Sequence, residues 1–139
     1  MSRIPAPDLI TDEIMADKYR VFVFGSNESG RHGLGAAKQA MKWGAIMGLA
    51  FGLQGQTYAI PTKDRCIKHT LPLPVIQDYV DRFINFAKVT PHITYLVTEI
   101  GCGLSHLTPE YVAPLFLSAL PVHNIRLPKR FLKVLLHAN

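Results

Sequence analysis

The chain has 139 residues and a formal net charge of +5; hydrophobic residues make up 48% and charged residues 18%. That length suits one compact domain, taken over residues 1–139, and the composition excludes a disordered or low-complexity chain. The positive balance favours an anionic partner and is met equally by a phosphate ligand, a nucleic acid or a soluble surface.

Two cysteines, Cys66 and Cys102, make no disulfide framework. The first residues carry Pro5, Pro7, Asp8, Asp12 and Glu13, where a secretory signal needs a basic end and an apolar stretch, so a reducing cytoplasmic setting is expected. The longest uncharged apolar run, Trp43 to Leu53, is too short to cross a bilayer and is broken by Gly44, Gly48 and Gly52. No membrane partner is expected.

Taken in order, Leu9, Ile10, Ile14 and Met15 predict a short amphipathic helix over 8–17. Tyr19 to Gly25 predicts a strand covered on both faces, because Val21 to Phe24 are consecutive, apolar and β-prone. A helix follows over 33–43, with Ala36, Ala37, Ala40 and Met41 as its stripe, then a strand at Thr57–Ile60 stopped by Pro61. Residues 74–88 predict a clear helix opened by Pro74, with Ile76, Tyr79, Val80, Phe83, Ile84 and Ala87 on one face. A third strand spans Ile93 to Ile100. Thr108-Pro109-Glu110 then opens a helix to about Ala119, before a last strand at 123–127 and a basic helix at 129–136. Such alternation predicts an α/β fold with helices on both faces of a largely parallel sheet, with ligands bound outside the carboxyl ends of its strands.

All three clear strands end in unusual loops. The first, Gly25 to Ala37, carries Asn27, Gly30, Gly33, Leu34 and Gly35; glycines admit a ligand close to the backbone, and an opening helix offers free N–H groups to phosphate. It is no Walker loop, since Arg31-His32 stands where Lys-Ser/Thr is required, and a tight strand-to-helix turn explains the spacing as well. The second, Ile60-Pro61-Thr62-Lys63-Asp64, ends on a lysine able to serve as phosphate cation, attacking amine or solvated loop residue. The third, Ile100-Gly101-Cys102-Gly103-Leu104-Ser105-His106, suits a diphosphate through a concave run of N–H groups. Cys102 is a packing residue or a reactive thiol.

Together these loops resemble the macro-domain superfamily, in particular the branch of terminal-ADP-ribose glycohydrolases and of antitoxins that remove ADP-ribose from DNA, and also small phage and bacterial proteins of macro type. The resemblance runs from about Val21 to Phe116 and rests on Asn27 with Gly33-Leu34-Gly35-Ala36-Ala37, on Ile60 to Lys63, and on Gly101-Cys102-Gly103-Leu104. It implies a three-layer α/β/α domain with a mixed, mostly parallel sheet and an ADP-ribose cleft between the first and third loops, needing no cofactor or metal. Asn27 would meet the distal ribose, Gly33, Leu34 and Gly35 the diphosphate, with Thr62 beside them and Gly101, Cys102, Gly103, Leu104 and Ser105 wrapping it from the other side. Lys63 matches the lysine that this branch uses at the ribose anomeric carbon. The implied activity is an ADP-ribosyl glycohydrolase acting on ADP-ribosylated protein or nucleic acid. Protein-directed members carry a carboxylate where this chain has Ser105, which leaves a non-catalytic ADP-ribose binder open as well.

Other readings compete. Cys66, His69, Cys102 and His106 form two Cys/His pairs for zinc, at spacings unlike a standard finger. Arg126, Lys129, Arg130 and Lys133 are a nucleic-acid patch or a solvated helix. His32, His106, Glu28 and Asp64 are acid–base candidates in the loops, and Trp43 and Phe51 are stacking partners for a base or core residues.

Overall fold

Val21 to Phe24 form the centre of a five-stranded sheet. The computed structural model describes residues 4–137. Its strands are β1 (Arg20–Asn27), β2 (Gly52–Gln54), β3 (Thr57–Lys63), β4 (Thr94–Val97) and β5 (Ile125–Arg126), in the order β2-β3-β1-β4-β5. All neighbours run parallel except β2, which returns antiparallel to β3. The helices are α1 (Asp12–Met15), α2 (Gly35–Ala40), α3 (Leu73–Lys88), α4 (Pro109–Val112) and α5 (Lys129–His137).

Successive side chains of a strand point to opposite faces, so an unbroken apolar strand must feed two cores. Val21, Val23, Tyr58, Ile60, Tyr95 and Val97 pack with Ile76, Val80, Phe83 and Ile84 of α3 and Phe131 of α5. Phe22, Phe24, Ala59 and Leu96 face the other way, onto Met15 of α1 and Ala37 and Ala40 of α2. The result is the three-layer α/β/α arrangement, with a mixed, mostly parallel sheet. Asn124 fixes one corner: its side-chain amide nitrogen donates to the carbonyls of Ala87, Thr90 and Ile93 at 2.9, 3.2 and 3.0 Å.

Several boundaries differ from the sequence reading. α1 covers only Asp12–Met15, because Thr11 caps it by accepting the N–H of Ile14. The helix expected over 108–119 is a single α turn that tightens into a 3-10 helix at Ala113–Ala119, where Pro114 removes a helical donor. β3 runs through Pro61 instead of stopping there. β2 pairs only with Thr57–Ala59, so at Pro61 the strand has a neighbour on one side alone, where proline is tolerated. β4 ends at Val97, which leaves Thr98, Glu99 and Ile100 in the following loop. β2 was not expected, as the three residues Gly52–Gln54, with Gly55 directly after them, carry little strand signal. Among the described residues no helix is long and apolar enough to cross a membrane.

Candidate functional site

The chain passes from β1 to β3 on one side and later returns to β4 on the other. The carboxyl ends of β3, β1 and β4 therefore flank a topological switch point, where crevices open in α/β sheets. A bulge between Ser26 and Asn27 sets Asn27 against Lys63. Over these strand ends lies a cleft of about 850 Å³. Asn27, Gly33, Leu34, Gly35, Thr62, Lys63, Gly101, Cys102, Gly103, Leu104 and Ser105 all line it.

The first loop is held from behind. Asn27 is buried; its side-chain nitrogen donates to the Arg31 carbonyl (2.8 Å), and its oxygen accepts from the Ser29 hydroxyl (2.7 Å) and the Arg31 N–H (3.0 Å). One amide hydrogen of Asn27 remains for a ligand. His32 is 1% exposed, its Nε2 lies 3.1 Å from the Leu49 carbonyl oxygen, and it is absent from the cleft wall. An acid–base role for His32 is corrected to a buttress. The Ser26 hydroxyl donates to the Ala50 carbonyl (2.6 Å) and the Gly48 N–H to the Gly30 carbonyl (2.8 Å), so residues 46–50 back the loop along its length. Beyond that buttress, the N–H groups of Gly33 to Ala37 donate to no backbone carbonyl among the described residues.

The third loop is latched to the second. The Thr62 and Ser105 hydroxyls lie 2.7 Å apart, both buried, and the Thr70 hydroxyl donates to the Ser105 carbonyl (2.8 Å). Ser105 therefore reaches the cleft as a structural latch whose oxygen keeps a free lone pair. Gly101, Gly103, Leu104 and Ser105 likewise have N–H groups with no backbone acceptor among the described residues, whereas the Cys102 N–H donates to Glu99 (3.1 Å). Burial, helped by the Glu99 charge, pushes the Cys102 thiol up to about 11, so it is neutral at ordinary pH and a poor nucleophile.

Two runs of N–H groups without a backbone acceptor thus border one cleft whose lining is otherwise mostly apolar, and such groups suit an anion. Lys63 stands at one end, and no carboxylate pairs with it among the described residues.

Sequence reasoning missed Glu99 and Ile67, both in the cleft wall. Glu99 is the one carboxylate residue there, and it is held by the guanidinium of Arg130, whose Nε donates at 2.7 Å. Its partner lies 31 residues away, beyond any local signal. Glu28 accepts from the Tyr79 hydroxyl (2.8 Å), and Asp64 pairs with His69 (3.1 Å). Neither lines the cleft, nor does His106. Trp43 packs on Phe22 and Phe51 on Tyr79, with centroids 5.0 and 5.2 Å apart, so both belong to the packing. Among the described residues no group of three or more His, Cys, Asp or Glu side chains is placed to hold a metal ion. The basic cluster of α5 is partly neutralised by Lys129–Asp8 and Arg130–Glu99 pairs.

The fold has a solved counterpart. The structure of Thermosipho africanus DarTG in complex with ADP-ribose superposes with a TM-score of 0.58 over 86% of this chain, at 18% sequence identity. The two share a fold. This chain spans 44% of that DarTG chain. No family model and no curated protein sequence matches it.

Proposed function

We propose that this cleft binds an ADP-ribosyl group and that Lys63 promotes cleavage of the bond at the anomeric carbon of the distal ribose. The observation carrying this reading is the convergence of two unpaired N–H runs and one lysine on a single cleft, in a fold whose solved counterpart was determined with ADP-ribose. The diphosphate lies over the end of β1, between Gly33–Ala37 and Gly101–Ser105, where its charge meets N–H dipoles. Neighbouring strands are about 4.8 Å apart. The ligand thus runs from the β3 side, with the distal ribose beside Lys63, to the β4 side. There Thr98 and Glu99 are shared with a second groove, lined by apolar Ala6, Pro7, Ile10 and Pro128 and by charged Asp8, Lys129 and Arg130, which gives the base both an apolar surface and polar partners.

Two routes use the amine. The Lys63 amine, giving up a proton, attacks the anomeric carbon as the linked carboxylate or base leaves; the ring C–O bond then opens, with a proton passing from nitrogen to the ring oxygen, to give an imine-type adduct that water hydrolyses to free amine and sugar. Alternatively, its charge stabilises the departing group while water attacks. A non-catalytic ADP-ribose binder is the second reading. It is favoured by the engagement of Glu99 with Arg130 and of Ser105 with Thr62, which leaves no free carboxylate in the cleft wall among the described residues.

The test is calorimetry of ADP-ribose on wild type and Lys63→Ala, paired with turnover of ADP-ribosylated protein and DNA. Retained affinity with turnover lowered by about a hundredfold or more assigns the amine to chemistry. Wild-type binding without turnover of either substrate supports the binder. Absence of binding refutes both.

A further inference from the structure

Ile67 stands apart from the other residues of the cleft. Its φ is 61°, in the left-handed region, where a β-branched side chain is most crowded by its own backbone. Among the described residues, only His106 also combines a side chain with positive φ. Between Asp64 and Thr70, Ile67 alone lines the cleft, while Arg65, Cys66, Lys68 and His69 are exposed.

The turn closes without help from this side chain. The Asp64 N–H donates to the His69 carbonyl (2.9 Å), the Ile67 N–H to the Asp64 carbonyl (3.0 Å), and the Lys68 N–H to the Asp64 carboxylate (3.0 Å). Lys63 and Thr70 bridge its base. Glycine or asparagine would adopt the same backbone with less strain. The strained position places an apolar, branched group in the wall on the same short turn as Lys63.

We propose that Ile67 is a specificity-determining residue: its side chain is the apolar wall at the Lys63 end and selects ligands that extend past the diphosphate into a second sugar. This rests on the proposed placement of the distal ribose beside Lys63. The side chain lies against the C–H face of that ring and keeps bulk water from one side of the amine. A nucleoside diphosphate stops short of it. The wall therefore separates ADP-ribose from ADP, which the N–H cradle treats alike.

Calorimetry with ADP-ribose and with ADP on wild type, Ile67→Gly and Ile67→Ala tests the assignment, with thermal unfolding recorded for each. Ile67→Gly is expected to bind ADP-ribose about tenfold more weakly, the scale of one partly buried aliphatic side chain, with ADP affinity held within about twofold. Its unfolding midpoint should be no lower than wild type, since relief of left-handed strain offsets the added freedom of the unfolded chain. Ile67→Ala should fall between. Equal losses for both ligands, or no loss for either, would overturn the assignment while leaving the ADP-ribose site standing. A wild type that binds neither ligand would overturn that site and the wall with it.

Discussion

Two pairs of glycines, one packed behind the cleft and one in its wall, answer to different demands. At Gly30 and Gly44, glycine is required by what it touches. A methyl group at Gly30 would lie 2.4 Å from the backbone carbon of Gly48, and one at Gly44 would lie 2.9 Å from the Gly55 Cα. At Gly33 and Gly103 of the cleft wall the reverse holds: a methyl there would meet no atom within 4 Å. Packing explains the first pair, and nothing inside the protein explains the second. Small residues beside open space in a cleft are best understood through a ligand that approaches the backbone closely.

The largest expected effect breaks the buttress. Gly30→Ala should lower stability by about 2 kcal/mol or more, since left-handed φ and contact with the Gly48 backbone add; chemical denaturation measures it. A loss under about 0.5 kcal/mol would show that the contact yields.

Next comes the cleft. Gly33→Ala should weaken ADP-ribose about tenfold or more, because an added methyl displaces the ligand from the backbone, with an unchanged unfolding midpoint. Affinity and stability falling together would remove the distinction between the two regions.

Smaller is the latch that ties the third loop to β3. Thr62→Val leaves the Ser105 hydroxyl buried with a partner lost, and should cost about 1–2 kcal/mol in denaturant unfolding. Wild-type stability in this variant would mean that Ser105 finds another acceptor.

The mildest effect is one of pH. The Cys102 thiol is raised from 9.0 to about 11 by burial and by Glu99, so between these values the folded state holds a proton that the unfolded state has released. Stability should therefore fall as pH rises from about 9 to about 11, and Cys102→Ala should flatten part of that slope. An identical slope in the variant would relieve Cys102 of any share.

Legibility in the sequence follows the range of the forces involved. β1 and α3 could be read because Val21–Phe24 and the Ile76-to-Ala87 stripe encode burial locally. The cleft residues could be read because glycines and a lysine follow strand ends, and parallel topology brings strand ends together. The Thr62–Ser105 latch and the Glu99–Arg130 pair join residues 43 and 31 positions apart, and no local pattern marks them. His32 is an acid–base candidate by its place in a glycine loop, but only the tertiary contact with Leu49 shows that it faces inward. Ile67 defies propensity outright, since a β-branched residue is the last expected at left-handed φ.

Titration of ADP-ribose into wild type and Gly103→Ala at matched salt tests the pyrophosphate cradle most directly. Saturable one-to-one binding by the wild type, about tenfold or more weaker in a variant of equal thermal stability, is the expected result. No binding by the wild type, or equal binding by both proteins, would contradict it.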